Sequence, residues 1–125
     1  MPTATCHCGA TRLELQKTPE SATTCTCTFC SKRGALWAYF ELDEVKVAKE
    51  ASAADYSPSG VNQHHFCATC GCGTYSLTPA WSQEHIDNPN AGIPTKQRIG
   101  VNIRLLDDVD IKAIPVSEID GRNLW

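Results

Sequence analysis

Eight cysteines in three short clusters constrain this chain more than any other feature of its sequence. They occur as Cys6-His7-Cys8, Cys25-Thr26-Cys27-Thr28-Phe29-Cys30 and Cys67-Ala68-Thr69-Cys70-Gly71-Cys72. A chain of 125 residues is long enough to bury a hydrophobic core, so it does not need disulfide bridges to fold. Cysteines at such short spacings indicate metal-binding turns instead, and zinc is the expected ion.

The first and third clusters are predicted to share one zinc ion. Residues two apart in a strand point to the same side, so Cys6 and Cys8 can offer two sulfurs to one ion. Cys67 and Cys70 form a Cys-x-x-Cys turn that is followed by Gly71. Two such pairs make a closed four-cysteine site of the structural kind. This zinc would tie the N-terminal strand to the second half of the chain.

The middle cluster offers three more sulfurs, from Cys25, Cys27 and Cys30. Three protein ligands with an open fourth position are typical of a catalytic zinc. A thiol that enters this position is expected to bind as the thiolate, because a metal ion favours the deprotonated form. The alternative is a closed site whose fourth ligand is Cys72 or a histidine. We interpret Cys72 as a buried thiol or a neighbour of the ligands, and no histidine is a predicted ligand.

Composition restricts the class of function and the location. The net charge of -3 disfavours a general nucleic-acid binder, which usually presents a basic face. No apolar run approaches the length of a membrane span, and the first residues lack the features of a signal peptide. We therefore expect a cytoplasmic protein, in which eight cysteines favour metal binding over the alternative of disulfides.

The hydrophobic pattern predicts one all-β domain over residues 1–125, with strands that feed metal-binding turns. The expected strands cover residues 11–16, 35–42, 44–48, 61–66, 73–77, 99–103 and 110–116. Residues 51–55 are interpreted as a helical turn. Residues 79–96 contain three prolines without periodicity and are predicted to form a long surface loop.

Two groups of residues near the middle cluster have a default role and a second, functional one. Trp37, Tyr39 and Phe40 are first of all strand residues of the core, although one of them can line the mouth of the thiol site. Lys32 and Arg33 are expected in solvent, where they would lie near any anionic ligand.

Taken in order, the cysteine motifs resemble the glutathione-dependent formaldehyde-activating enzyme family, which includes centromere protein V. The resemblance covers roughly residues 5–110 and rests on the three clusters and on Val101-Asn102-Ile103-Arg104-Leu105-Leu106-Asp107. It implies a tent-like arrangement of β-sheets with two zinc ions. The positions matching Cys6, Cys8, Cys67 and Cys70 would hold a structural zinc. Those matching Cys25, Cys27 and Cys30 would hold a second zinc, which is associated with the glutathione site.

The resemblance also implies an activity, the reversible joining of formaldehyde to glutathione by a carbon–sulfur lyase. The expected partners are therefore a small thiol and a small aldehyde, without nucleic acid or membrane. Two other hypotheses remain open, a non-catalytic scaffold with two structural zinc ions and a redox-responsive site that releases metal on oxidation. The chain departs from the family pattern in being shorter than the better-known members and in carrying the additional thiol of Cys72.

Overall fold

Ten short strands and three short helices make up the protein. The computed structural model describes residues 1–124, apart from the side chains at positions 83, 86, 89 and 124. The strands are β1 (Thr3–Thr5), β2 (Thr11–Leu15), β3 (Ala22–Cys25), β4 (Trp37–Phe40), β5 (Val45–Glu50), β6 (Ala53–Tyr56), β7 (Gln63–Cys67), β8 (Gly73–Pro79), β9 (Gln97–Asn102) and β10 (Val116–Ile119). The helices are α1 (Thr28–Arg33), α2 (Gln83–Asp87) and α3 (Gly121–Leu124), and 3-10 turns cover Leu42–Glu44, Pro89–Ala91, Ile103–Leu105 and Ile111–Ala113.

The strands form two sheets that contribute to one core. The smaller sheet has the order β1-β2-β5, and the larger has the order β10-β3-β4-β9-β8-β7-β6. All pairings are antiparallel except that of β10 with β3. The predicted all-β class is confirmed. No helix within residues 1–124 has the length and apolar character that crossing a membrane requires.

Alternating side chains of the two sheets fill the core. Leu13 and Leu15 of the smaller sheet are fully buried, and Val101 of the larger sheet is equally inaccessible. They belong to one cluster of buried residues, which also includes Phe40 and Ile103. The period-two pattern of β2 places both of its leucines on one face, as residues two apart in a strand must be. Burial of this face therefore holds the smaller sheet against the larger one.

Replacing Leu13 with alanine is expected to reduce the free energy of unfolding by about 2–5 kcal/mol, the range for a large-to-small change in a packed core. The reason is that Leu13 is fully buried in the cluster that joins the sheets. Urea unfolding followed by circular dichroism measures the change. Leu42→Ala is the matched control, since Leu42 is 48% exposed and its loss should cost less than about 0.5 kcal/mol. Equal effects of the two changes would contradict this packing.

Several expected elements differ from the structure. The helical turn expected over residues 51–55 is wrong, because Ala53–Tyr56 is the extended edge strand β6, paired with β7. The strand expected over residues 110–116 is wrong, because a 3-10 turn occupies Ile111–Ala113 and β10 starts only at Val116. The long surface loop contains α2 and a 3-10 turn. Pairing with the next strand makes β6 extended, and local helical turns form in the other two segments, in spite of the intrinsic preference of each sequence.

Strand register divides the side chains of the larger sheet between two faces. Ala38, Val101 and Tyr75 are paired across β4, β9 and β8, and all three are buried in the core. The next row, on the opposite face, is Tyr39, Gly100, Ser76, His64 and Tyr56, across five adjacent strands. Directly paired residues share a face, so this second row belongs to the outer face of the sheet.

Candidate metal centres

Four cysteine sulfurs from the first and third clusters lie together. The Sγ atoms of Cys6, Cys8, Cys67 and Cys70 are all within 4.8 Å of one another. The Cys6 and Cys8 sulfurs are 3.8 Å apart, and those of Cys8 and Cys67 are 3.5 Å apart. Sulfurs at about 2.3 Å from a tetrahedral zinc are about 3.8 Å from one another. The four thiols therefore fit a tetrahedral zinc ion.

The backbone that presents these sulfurs is a pair of tight turns. The expectation that Cys6 and Cys8 belong to a strand is wrong, because β1 ends at Thr5 and both residues lie in the turn after it. The Gly9 amide donates to the Cys6 carbonyl at 3.1 Å, and the Gly71 amide donates to the Cys67 carbonyl at 2.8 Å. Both glycines have a positive φ, +82° and +81°, which side chains disfavour. A glycine after each pair therefore closes each turn.

Hydrogen bonds from backbone amides stabilise the thiolate form of two sulfurs in this cluster, those of Cys6 and Cys70. The Thr11 amide donates to the Cys6 sulfur at 3.3 Å. Hydrogen bonds from the Cys72 and Cys8 amides lower the pKa of the Cys70 thiol to about 5. Amide donors favour the charged form of the sulfur, which is the form that binds metal.

Three further sulfurs, from Cys25, Cys27 and Cys30, also lie within 4.8 Å of one another. Cys25 is the last residue of β3, Cys27 is the N-cap of α1, and Cys30 lies in the first turn of that helix. The Cys30 amide donates to the Cys27 sulfur at 3.3 Å. The expected strand-like pair and turn are thus replaced by a strand end and a helix start. Cysteine is an unusual N-cap, which is why the sequence did not indicate this helix.

The C-terminal segment positions the middle cluster. The Thr26 amide donates to the Ile119 carbonyl of β10 at 2.9 Å, and the Thr26 hydroxyl donates to Asp120 at 3.2 Å. The Arg122 side chain donates from Nε to the Thr26 carbonyl at 3.2 Å. These bonds hold the backbone between Cys25 and Cys27, so the parallel pairing of β10 with β3 helps to shape the site.

Charges and donors near the middle cluster act differently on its three thiols. Burial raises the pKa of Cys30 to about 12, against the effect of a hydrogen bond with Trp37. Burial acts in the same direction on Cys27, but hydrogen bonds from the Cys30 amide and the neighbouring thiols bring the pKa of Cys27 below its ordinary value. Cys25 has a raised pKa, chiefly through burial. A bound cation would favour the thiolate form of all three.

No fourth ligand from the described residues joins the middle cluster. Within residues 1–124, no other cysteine sulfur, histidine nitrogen or carboxylate oxygen lies within 4.8 Å of all three sulfurs. Cys72 lies beside Cys70 and the backbone of His7, next to the other cluster. His64 bonds through Nδ1 to the Ser76 hydroxyl at 2.7 Å and stacks on Phe29. The described residues therefore supply three sulfurs and no fourth ligand to the middle cluster.

Lys32 and Arg33 lie on the exposed side of α1, as expected. The Arg33 guanidinium lies over the rings of Phe29 and Phe66, at 5.1 and 5.4 Å from their centroids. An open groove of about 670 Å³ runs between this side of the helix and β6. Trp37, which forms a hydrogen bond with the Cys30 sulfur, lies elsewhere, on β4.

Gly34 ends α1 in the left-handed conformation, with φ at +69°, and its amide donates to the Cys30 carbonyl at 3.0 Å. Replacing Gly34 with alanine is expected to lower the free energy of unfolding by about 1–2 kcal/mol, the cost of a side chain in this conformation. No atom lies within 4 Å of the added Cβ, so the cost would come from the backbone alone. Urea unfolding measures it, with Ser31→Ala in the same helix as control. Unchanged stability of Gly34→Ala would contradict this helix end.

Comparison with known proteins shows the family to which this chain belongs. Residues 1–97 match the family model described as glutathione-dependent formaldehyde-activating enzyme. A crystal structure of a Rhodobacter sphaeroides protein, a structural-genomics target, is similar in sequence and structure, with 28% identity and a TM-score of 0.66. The match covers 92% of this chain and 99% of that one. No curated protein matches this chain. The chain belongs to the glutathione-dependent formaldehyde-activating enzyme family.

Proposed function

We propose that the protein is a zinc-dependent carbon–sulfur lyase that reversibly joins a small thiol, of the glutathione kind, to formaldehyde or another small aldehyde. The observation that carries the proposal is the three-sulfur cluster of Cys25, Cys27 and Cys30, for which the described residues supply no fourth ligand. Family membership supports the same reaction class.

The two cysteine clusters have different roles in this proposal. Cys6, Cys8, Cys67 and Cys70 hold a closed structural zinc, because four sulfurs complete a tetrahedron. Cys25, Cys27 and Cys30 would hold a second zinc and, as three ligands only, would leave the substrate thiol to complete the site. A zinc ion bound there would act as a Lewis acid and template: it would lower the pKa of the substrate thiol and orient it.

The reaction itself forms one bond and moves one proton. The thiol sulfur bonds to the aldehyde carbon, the carbonyl double bond becomes a single bond, and its oxygen takes up the proton that the thiol has lost. The reverse reaction breaks the carbon–sulfur bond and returns the proton. No electron donor or acceptor is needed. The hydrogen bond between Trp37 and the Cys30 sulfur would hold this sulfur in place while the substrate thiol binds and leaves.

The test must detect a rate above that of the uncatalysed reaction, because thiols and formaldehyde combine in water without a catalyst. A thiol with a pKa near 8.5 is only about 0.3% thiolate at pH 6, so the background is slow there. NMR exchange spectroscopy at this pH measures the rate at which glutathione and S-hydroxymethylglutathione interconvert. We expect the zinc-loaded protein to raise this rate and the chelated protein to leave it at background. No acceleration by the zinc-loaded protein would favour the scaffold alternative.

A further inference from the structure

Strand β6 is the last strand of the larger sheet, so one side of its backbone has no partner strand within residues 1–124. The Ala68 amide donates to the Ser52 carbonyl at 2.9 Å, which continues the antiparallel ladder of β6 with β7. Because hydrogen bonds alternate in such a ladder, the backbone groups of Ala53 and Asp55 point away from β7. Their amides and carbonyls are therefore directed to the free edge, where another strand could pair with them.

The free edge of β5 in the smaller sheet is protected against such pairing, in contrast to that of β6. β5 carries the exposed Lys46 and Lys49, and its register with β2 is interrupted between Arg12 and Leu13. Charged residues and bulges are common protections of an edge strand. The register of β6 with β7 has no such interruption, and Asp55 is its single charged residue. The edge of β6 is therefore the more open to a partner strand.

The groove of about 670 Å³ between α1 and β6 runs along this strand. Its lining includes Gly71 at one end and Pro58 at the other. The Gly71 amide bonds to the carbonyl of Cys67, which is paired with Ala53 at the start of β6. Pro58 follows the end of the strand. A chain that paired with β6 would therefore lie beside the groove over the whole length of the strand.

Aromatic rings line the groove on the outer face of the sheet. Tyr56 is 50% exposed, and its ring centroid is 5.7 Å from that of Phe29, on which it stacks. The Arg33 guanidinium lies over the rings of Phe29 and Phe66. It also packs against Gly73, where an added Cβ would be 3.1 Å from Nη2. The rings and the bare backbone thus hold this cation in place beside an apolar surface.

The charges at the groove favour an anionic occupant. Lys32 and Arg33 both line it, and neither belongs to an ion pair within residues 1–124. The acidic residue of the lining, Asp55, directly precedes Tyr56 in β6, so its side chain points to the opposite face of the sheet. The outer face therefore presents positive charge next to an unpaired strand edge.

Helix α1 separates this groove from the three-cysteine cluster. At 3.6 residues per turn, Thr28, Phe29, Lys32 and Arg33 share the side of the helix that lines the groove, and Cys27 and Cys30 lie on the other side. A molecule in the groove would therefore leave the sulfur cluster accessible.

We propose that the edge of β6 and the adjoining groove bind an extended acidic segment of another protein, which adds a strand to the larger sheet. The segment would pair with the backbone of Ala53 and Asp55, and its acidic side chains would lie in the groove beside Lys32 and Arg33. A second copy of this chain suits the edge less well. Antiparallel pairing of two β6 strands would bring Lys32 and Arg33 of both copies to the same face. The inference is independent of the proposed thiol reaction.

Binding of short fluorescent peptides to the zinc-loaded protein, measured by anisotropy, tests the inference. The parent peptide alternates valine and glutamate, and two analogues carry N-methyl groups on either the valine or the glutamate amides. If the glutamates face α1 in an antiparallel pairing, the valine amides bond to β6. We expect methylation of the valine amides to weaken binding at least about tenfold, since several hydrogen bonds are lost. Methylation of the glutamate amides should change the affinity by less than about twofold.

Three variants of the protein separate the backbone edge from the charges. Ala53→Pro removes an amide that points away from β7 and should weaken binding of the parent peptide at least about fivefold. Lys32→Glu reverses a charge in the groove and should weaken it about threefold at low salt. Lys46→Glu makes the same change at the edge of β5 and should leave the affinity unchanged. Zinc content and thermal unfolding show whether each variant is folded.

The possible outcomes are distinct. Equal binding of the parent peptide and its valine-methylated analogue overturns the proposal, as does an undiminished affinity in Lys32→Glu. Absence of binding by the parent peptide overturns it as well. If the protein alone forms a dimer that Ala53→Pro abolishes, the edge belongs to a second copy and the proposal is wrong. If Ala53→Pro does not fold, the methylated peptides and Lys32→Glu decide the question.

Discussion

Replacing Cys67 with serine should leave the protein without a cooperative unfolding transition at room temperature. Cys67 is fully buried, and its sulfur lies 3.5 Å from that of Cys8, at the point where the N-terminal turn meets β7. A structural zinc contributes about 10 kcal/mol or more to folding in small zinc domains. The whole free energy of unfolding of a domain is only about 5–15 kcal/mol. Loss of one ligand at a buried position would therefore remove most of the free energy of unfolding. Thermal unfolding measures this loss, and the zinc content per chain shows whether the ion is lost with it.

Cys72→Ser is the matched control for this change, because it alters a thiol in the same turn. Cys72 lies beside Cys70 but is outside the group of four sulfurs. We expect this variant to keep its zinc content and to unfold within a few degrees of the wild-type protein. If Cys72→Ser loses a zinc ion and Cys67→Ser does not, the assignment of ligands is wrong.

Replacing Cys27 with alanine should have the opposite pattern of effects, a lost activity in a folded protein. Cys27 is half-buried at the start of α1, outside the cluster of core residues. Loss of its sulfur leaves two ligands, so zinc content should fall from two ions per chain to one. The exchange rate between glutathione and S-hydroxymethylglutathione should then fall to the uncatalysed value. Thermal unfolding should shift modestly, since the four-cysteine cluster is untouched.

Ser31→Ala changes the next turn of the same helix without touching a sulfur, and it should retain both zinc ions and the full rate. A Cys27→Ala protein that has lost one zinc but still exchanges at the wild-type rate would contradict the role of the middle cluster. A Cys27→Ala protein that fails to fold would indicate that this zinc is structural.

The strand pattern and the ligand pairs were accessible from the sequence because both are local. Alternation identified β2 and β9 through Leu13, Leu15, Ile99 and Val101, which are buried as predicted. Cysteines two or three residues apart indicate a shared metal ion, whether the backbone between them is a strand or a turn. For this reason the sulfurs of Cys6 and Cys8 lie together even though both residues are in a turn after β1 and not in the strand that was expected.

The features that the sequence does not predict depend on contacts between residues that are far apart along the chain. The six residues of α1 are too few to show helical periodicity, and β10 is extended because it pairs in parallel with β3, about ninety residues earlier. The groove beside β6 forms only through the register of β6 with β7, which brings Tyr56 beside His64 under α1. The sequence does not predict this groove, since its pattern over residues 51–55 indicates a helical turn and not an edge strand.

The central claim is that the middle cluster is one ligand short, and X-ray absorption at the zinc edge tests it directly. With one four-sulfur and one three-sulfur site, the protein should show an average of about 3.5 sulfurs per zinc at a content of two ions. Addition of glutathione should raise the average to about 4 as its sulfur enters the free position. An average of 4 sulfurs before any thiol is added, unchanged by glutathione, would mean that the second site is already closed and would contradict the account.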